Sequence, residues 1–194
     1  MIILLRLKHW QLFLLILVIP LILNVLYTIF AVSISNLLLD FSIMLLIGGV
    51  SMAIFFGWLY VLGTNLHKML PETVSMNLTK FKLFLITPLV YISFVSVLIF
   101  MLFNDISTPN KPMSIGWFWL IIPIHLFSMF CIFYCLYFTA KVLKSVELQK
   151  SVSFGDFVTE FFLLWFYPIG IWIIQPRVNK FFEKSNTLST DPLV

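Results

Sequence analysis

Residues 161–179 read FFLLWFYPIGIWIIQPRVN. The stretch is nearly long and apolar enough to cross a bilayer, yet Pro168 and Gly170 interrupt its middle and Arg177 and Lys180 close it. Whether it crosses or turns back decides the topology of the chain. Proline removes one backbone hydrogen bond and clashes with the preceding turn, while glycine tolerates positive φ. The run Tyr167-Pro168-Ile169-Gly170 therefore predicts a turn between two helical arms of about ten residues, each ~15 Å long. Such arms reach about halfway into a ~30 Å hydrocarbon core. Ser153-Phe154-Gly155-Asp156 has the form of a capping box in its acidic variant and starts the first arm. The alternative is a kinked fifth span.

Composition says what surrounds the rest. The 194 residues are 61% hydrophobic and only 10% charged, with 22 Phe and 6 Trp. Soluble domains carry about 25% charged residues because their surface needs them, so lipid must be the solvent for most of this chain. The net charge of +4 is spread between apolar runs rather than gathered in a patch. That arrangement suits lipid headgroups and gives no sign of a nucleic-acid partner.

Four runs reach the ~20 apolar residues needed to span: 10–32, 41–62, 83–103 and 117–142. The first follows Arg6 and Lys8 as a signal peptide would, but it exceeds the ~7–15 residues of a signal h-region and is read as a retained helix. All four must be helical, because lipid offers no partner to a free backbone group. Pro20, Pro88 and Pro123 interrupt three of them, and neighbouring helices are expected to satisfy the freed carbonyls.

Loop charge orients the bundle. Arg6 and Lys8 precede the first span, Lys68, Lys80 and Lys82 lie between the second and third, and Lys141, Lys144 and Lys150 follow the fourth. The first loop has no cation and the third has only Lys111. The positive-inside rule then places the N-terminus in the cytoplasm. If the C-terminal segment turns back, Arg177, Lys180 and Lys184 join that side and Lys111 alone is outside. If it spans, those three join Lys111 outside.

Few residues are placed to do chemistry. Glu160 and Arg177 lie on opposite arms at similar depth, so a hairpin would pair them; the functional alternative for Glu160 is a proton- or ion-handling carboxylate. His125 sits about eight residues into the fourth span and is expected to face the bundle interior, with Asn24 and Thr87 as hydrogen-bond partners. Gly49, Ala53 and Gly57 form a small-xxx-small stripe, read first as packing within the bundle and second as a homodimer seam. Cys131 and Cys135 at i and i+4 read as packing thiols, because the further ligands of a metal site are not evident. His9 and His67 read as headgroup contacts, and Trp58, Trp117, Trp119, Trp165 and Trp172 as including aromatic-belt anchors. No HExxH, GxSxG or phosphate-binding loop occurs, and the spans are almost free of charge, which lowers the case for a protease or an ion-coupled transporter.

The C-terminal block, with Val146-Glu147-Leu148, Phe154-Gly155-Asp156, Tyr167-Pro168-Ile169-Gly170-Ile171-Trp172 and Gln175-Pro176-Arg177-Val178-Asn179, resembles a group of bacterial multi-pass membrane proteins. The opening LKHWQLFLL, residues 7–15, is similar to the same group. The resemblance implies a bacterial inner-membrane location and carries no activity.

The sequence therefore predicts an all-α membrane protein. Residues 1–150 form a four-helix core, 151–184 a cytoplasmic-side re-entrant or interfacial hairpin, and 185–194 a disordered tail. No catalytic, cofactor or metal residues are assigned. The expected partners are the lipid bilayer and a membrane protein or a second copy of the chain. The leading functional expectation is a non-enzymatic scaffold or accessory subunit. A small permease or transporter subunit and a lipid-modifying enzyme using His125 or Glu160 are the alternatives.

Overall fold

A computed structural model describes residues 3–31, 37–106 and 116–190. Helices α1 (Ile3–Arg6) and α2 (His9–Phe13) lead through a π-helical turn, Leu14–Val18, into α3 (Ile19–Ala31). Then follow α4 (Leu37–His67), α5 (Leu78–Ile106), α6 (Gly116–Leu148), α7 (Phe154–Trp165) and α8 (Tyr167–Thr190). Four stretches are long and apolar enough to cross a membrane: His9–Phe30, Leu39–His67, Leu78–Met101 and Ile121–Leu148. The chain is a multi-pass helical membrane protein, and its four-span core is as the composition predicts. Lys111 with most of the third loop, residues 33–36 of the first loop and the last four residues of the expected tail lie outside the described residues. Residues 185–190, expected to be disordered, continue α8.

Each span begins or bends where its residues require. Pro20 has no N–H to give the carbonyl of Ile16, four residues back. The π turn precedes this position, and the Ser51 hydroxyl of α4 donates to Ile16 O at 2.5 Å. Ser51→Ala orphans that carbonyl and is expected to cost about 0.6 kcal/mol, at most ~1.7, read as a small fall in thermal stability in detergent. Asn77 caps α5, its Oδ1 accepting the Lys80 N–H at 2.9 Å. His67, read as a headgroup contact, has protein partners: one ring nitrogen lies 2.8 Å from Met76 O, which ties down the α4–α5 loop, and its ring stacks on Phe138.

The core occupies one end of the bundle. Leu12 and Ile16, Trp58 and Leu62, Phe81, Leu143, Phe157 and Ile174 are all fully or almost fully buried, and they share the end where α1, α2, α7 and α8 gather. Toward the other end the same helices turn apolar side chains outward: Phe30 is 74% exposed, Leu46 66%, Val90 61% and Leu126 62%. Only lipid or another apolar surface can cover such an area.

α7 and α8 fill the core at the first end. The α7 N-terminus is closed as the sequence predicts, with Asp156 Oδ2 accepting the Ser153 N–H at 2.7 Å and its hydroxyl at 2.9 Å. The corner lies elsewhere than expected. It is a one-residue joint at Phe166, with φ −87° and ψ 57°, which ends α7 and whose carbonyl starts α8 by accepting Ile169 N–H at 3.0 Å and Gly170 N–H at 2.9 Å. Pro168 sits in the first turn of α8, where an N–H has no intrahelical partner to lose. Gly170 is helical with negative φ. Its role is closeness: a Cβ there would lie 1.8 Å from the carbonyl oxygen of Leu163 in the opposite arm. The joint stands beside the middle of the core helices, Tyr167 packing 5.0 Å from the Phe55 ring and Trp165 4.8 Å from Phe133.

Candidate functional site

Both arms run back to the end of α6, and there the polar groups of the C-terminal block converge. The Arg177 guanidinium meets Glu160 Oε1 at 2.7 Å, the pairing the sequence predicts. It also grips Glu147 on α6 through two donors, Nε to Oε1 at 2.7 Å and Nη2 to Oε2 at 2.5 Å. Lys144, one turn earlier on α6, reaches Glu160 Oε1 at 3.1 Å and Glu147 Oε2 at 3.8 Å. Two cations face two anions, with three helices supplying them. The geometry is a fork on a carboxylate, which arginine makes and lysine does not.

Electrostatics follow the geometry. Glu160 is 2% exposed. Burial pushes its carboxyl up, but the hydrogen bonds from Arg177 and Lys144 outweigh that and hold it below the ordinary range. Arg177 is held above its ordinary value, first by its hydrogen bond to Glu147, against the opposing effect of burial. Asp156, at the α7 cap, is lowered first by the Ser153 backbone N–H. Glu160 Oε2 is buried with no hydrogen-bond partner among the described residues.

Gln175 forms a second centre on another face of α8. Fully buried, it accepts the Trp58 indole N–H at 2.9 Å. Its amide N–H groups lie 3.1, 3.3 and 3.0 Å from the carbonyls of Leu4, Leu5 and Leu7, where α1 ends and α2 has not begun. Asn179, one turn on, accepts from Gln175 at 3.1 Å and donates to Leu7 O at 3.2 Å. The orphan carbonyls of a broken N-terminal helix are thus satisfied from the far end of the chain. Residues 175 and 179 share one helical face and 177 points away from it, so the run QPRVN docks the N-terminus with one side and locks α6 and α7 with the other. Gln175→Ala strips these bonds and strands the Trp58 N–H; a loss of about 2–3 kcal/mol is expected, measurable as a lowered midpoint of thermal unfolding.

Other singled-out residues are not brought together. His125 does not face the interior; it is exposed and bonds Tyr91 Oη through Nδ1 at 2.9 Å. Asn24 donates to its own helix at Pro20 O, and Thr87 to Leu83 O. Gly49 and Ala53 are exposed, Gly49 has open space beside it, and a Cβ on Gly57 would lie 3.8 Å from Leu4 Cδ1. The stripe therefore packs within the chain only at its Gly57 end. Close approach on α4 falls instead at Gly63, where a Cβ would lie 2.6 Å from the Phe81 ring. Trp58 is buried rather than at a belt, while Trp119 is 79% exposed; the Trp117 side chain lies outside the described residues. Cys131 and Cys135 are buried free thiols.

Sequence reasoning missed Lys144, Glu147, Gln175 and Trp58 as members of these centres. Lys144 and Glu147 carry a legible signal, opposite charges three residues apart at a helix end. Gln175 carries none beyond being an amide in an apolar run. Comparison of the chain with protein-family models, with curated proteins and with solved structures returns no match in any of the three.

Proposed function

We propose that this chain is a non-enzymatic component of a bacterial inner membrane, with its N-terminus in the cytoplasm and a hairpin that enters the membrane from that side and returns to it, and that it docks a membrane partner through its hairpin. The bacterial location rests on the resemblance of the C-terminal block, and the orientation on the distribution of Lys and Arg. The hairpin is read as re-entrant because its two arms return to the same end of α6 and neither belongs to a stretch long and apolar enough to span.

One observation carries the docking role. The inner side of the hairpin is fixed by Arg177, Glu160 and Gln175, whereas its outer side exposes Phe162, Trp165, Phe166 and Ile169, each between 46% and 63% exposed. Phe162, Trp165 and Phe166 form a stacked ladder with centroids 5.9 and 6.0 Å apart. A rigid aromatic face held at fixed geometry is what an interface needs, since little side-chain entropy remains to be lost. The permease reading wants Asn24, Thr87 and His125 around one polar cavity, and each of the three makes its hydrogen bond elsewhere.

Purification from native membranes in mild detergent tests the proposal. A partner should co-purify with the wild-type chain and be lost when Trp165 and Phe166 are both changed to Ala; a clean monomer from wild-type membranes overturns the reading. Single cysteines placed at Lys111 and Asn186 test the topology separately. An impermeant thiol reagent applied to intact cells should label the first and spare the second.

A further inference from the structure

The close approach of α4 and α5 builds a further polar feature at the end where their connecting loop lies. Gly63 leaves room on α4 for the Phe81 ring. Lys82, the next residue on α5, then comes over Tyr60, one turn before Gly63, with its ammonium 6.0 Å from the ring centroid. A cation resting on an aromatic face is held in place rather than left to swing in solvent. Both residues are half-buried. Asn77 caps α5 and His67 ties the loop to Met76 O, so the backbone on either side is fixed as well.

Lys82 makes no ion pair, and the Tyr60 hydroxyl makes no hydrogen bond, among the described residues. That hydroxyl is not sealed inside the protein either. Lys68 and Lys80, exposed at the same end, are likewise unpaired, and Glu72 on the loop pairs with none of the three. Lys82 lies about 6 Å into the span Leu78–Met101, and Tyr60 about 10 Å from the end of Leu39–His67. Further along the same face of α5 come Ile86 and Val90, 54% and 61% exposed. A fixed cation and a free hydroxyl thus stand at the head of an exposed apolar stripe.

We propose that Tyr60 and Lys82 bind the phosphate of an anionic phospholipid. The ammonium pairs with one phosphate oxygen, the phenol donates to another, and an acyl chain lies along Ile86 and Val90. Lysine meets a phosphate as a point charge and tyrosine as a neutral donor, so the two together select that group. The stripe selects an amphiphile, since free phosphate gains nothing from apolar surface. With Lys68, Lys80 and Lys82 set against Glu72 in residues 67–82, this end favours a lipid of net negative charge over a zwitterionic one. The site shares no residue with the hairpin and does not depend on what the hairpin docks.

Native mass spectrometry of the full chain, released from dodecyl maltoside with added phosphatidylglycerol or phosphatidylcholine, tests this. One phosphatidylglycerol should be retained at concentrations where phosphatidylcholine is not, and excess glycerol 3-phosphate should not displace it. Lys82→Met, which keeps an unbranched apolar stem, should weaken retention about tenfold or more, as loss of a hydrogen bond to a charged group does. Tyr60→Phe, which keeps the ring beneath the ammonium, should weaken it severalfold. Lys150→Met, at an exposed cation between α6 and α7, should leave it unchanged. Thermal unfolding of all three variants without added lipid should stay near wild type. Equal retention of phosphatidylcholine, displacement by glycerol 3-phosphate, unchanged affinity in Lys82→Met, or an equal loss in Lys150→Met each overturns the proposal.

Discussion

Gly170→Ala is expected to cost about 3 kcal/mol or more, at or beyond the top of the usual ~1–3 kcal/mol for overpacking. The added carbon would stand 1.8 Å from Leu163 O and 2.5 Å from Leu163 C. Both are backbone atoms, so no rotamer change relieves the clash, and the arms must part. Parting them moves Gln175 and Arg177, on the same helix, away from their partners. Thermal unfolding in detergent should show a fall of roughly 6–12 °C, given about 2–4 °C per kcal/mol for a chain of this size. Two other glycines calibrate the result. Gly63→Ala meets the end of the Phe81 ring at 2.6 Å, a side chain that can yield in part, and should cost less. Gly155→Ala meets nothing within 4 Å in the first turn of α7 and should be neutral or stabilising by up to ~1 kcal/mol through helix propensity. Equal effects at all three positions would refute the account of the hairpin joint.

Arg177→Ala carries the second large effect. It leaves Glu160, almost fully buried, and Glu147 with Lys144 as their only cation among the described residues. Breaking a buried pair by removing one partner costs about 3–5 kcal/mol. The Arg177 side chain is 28% exposed, so solvent screening reduces the expectation to about 2–4 kcal/mol. Arg177→Lys should recover only part of this, because a single ammonium cannot fork both carboxylates. Adding Glu160→Gln to Arg177→Ala should restore stability relative to the single variant, since it removes the uncompensated charge. A double variant no better than Arg177→Ala would show that the charge at Glu160 is not what makes the loss. The sign of the pH dependence follows. Glu160 has a lowered carboxyl in the folded chain, so its contribution is present above the unfolded value of ~4.3 and is lost as pH falls through the folded one. Wild type should lose stability on acidification below about pH 4.5, and Glu160→Gln should lose less over the same window.

These two centres explain why the C-terminal block reads as it does. Gly170 sets the spacing of the arms, Arg177 joins α6, α7 and α8, and Gln175 with Asn179 closes the broken start of the chain. The outward face, with Phe162 and Trp165, is left free for the partner proposed above.

What the residue string determined alone was whatever depends on local composition and period. Four apolar runs without partners for their backbone had to be helices, Ser153 and Asp156 had to cap α7, and opposite charges at 160 and 177 had to meet once the chain turned between them. The corner could not be placed at Phe166, because Pro168 and Gly170 advertise a turn while serving a helix start and a close contact. Packing decided the rest. Which face of α4 carries the close approach, Gly63 rather than Gly49 and Ala53, depends on where the α5 residue Phe81 arrives. That Gln175 serves the carbonyls of Leu4, Leu5 and Leu7 depends on two ends of the chain, some 170 residues apart, meeting in space. Neither follows from spacing, because burial is a property of neighbours that only the folded chain brings together.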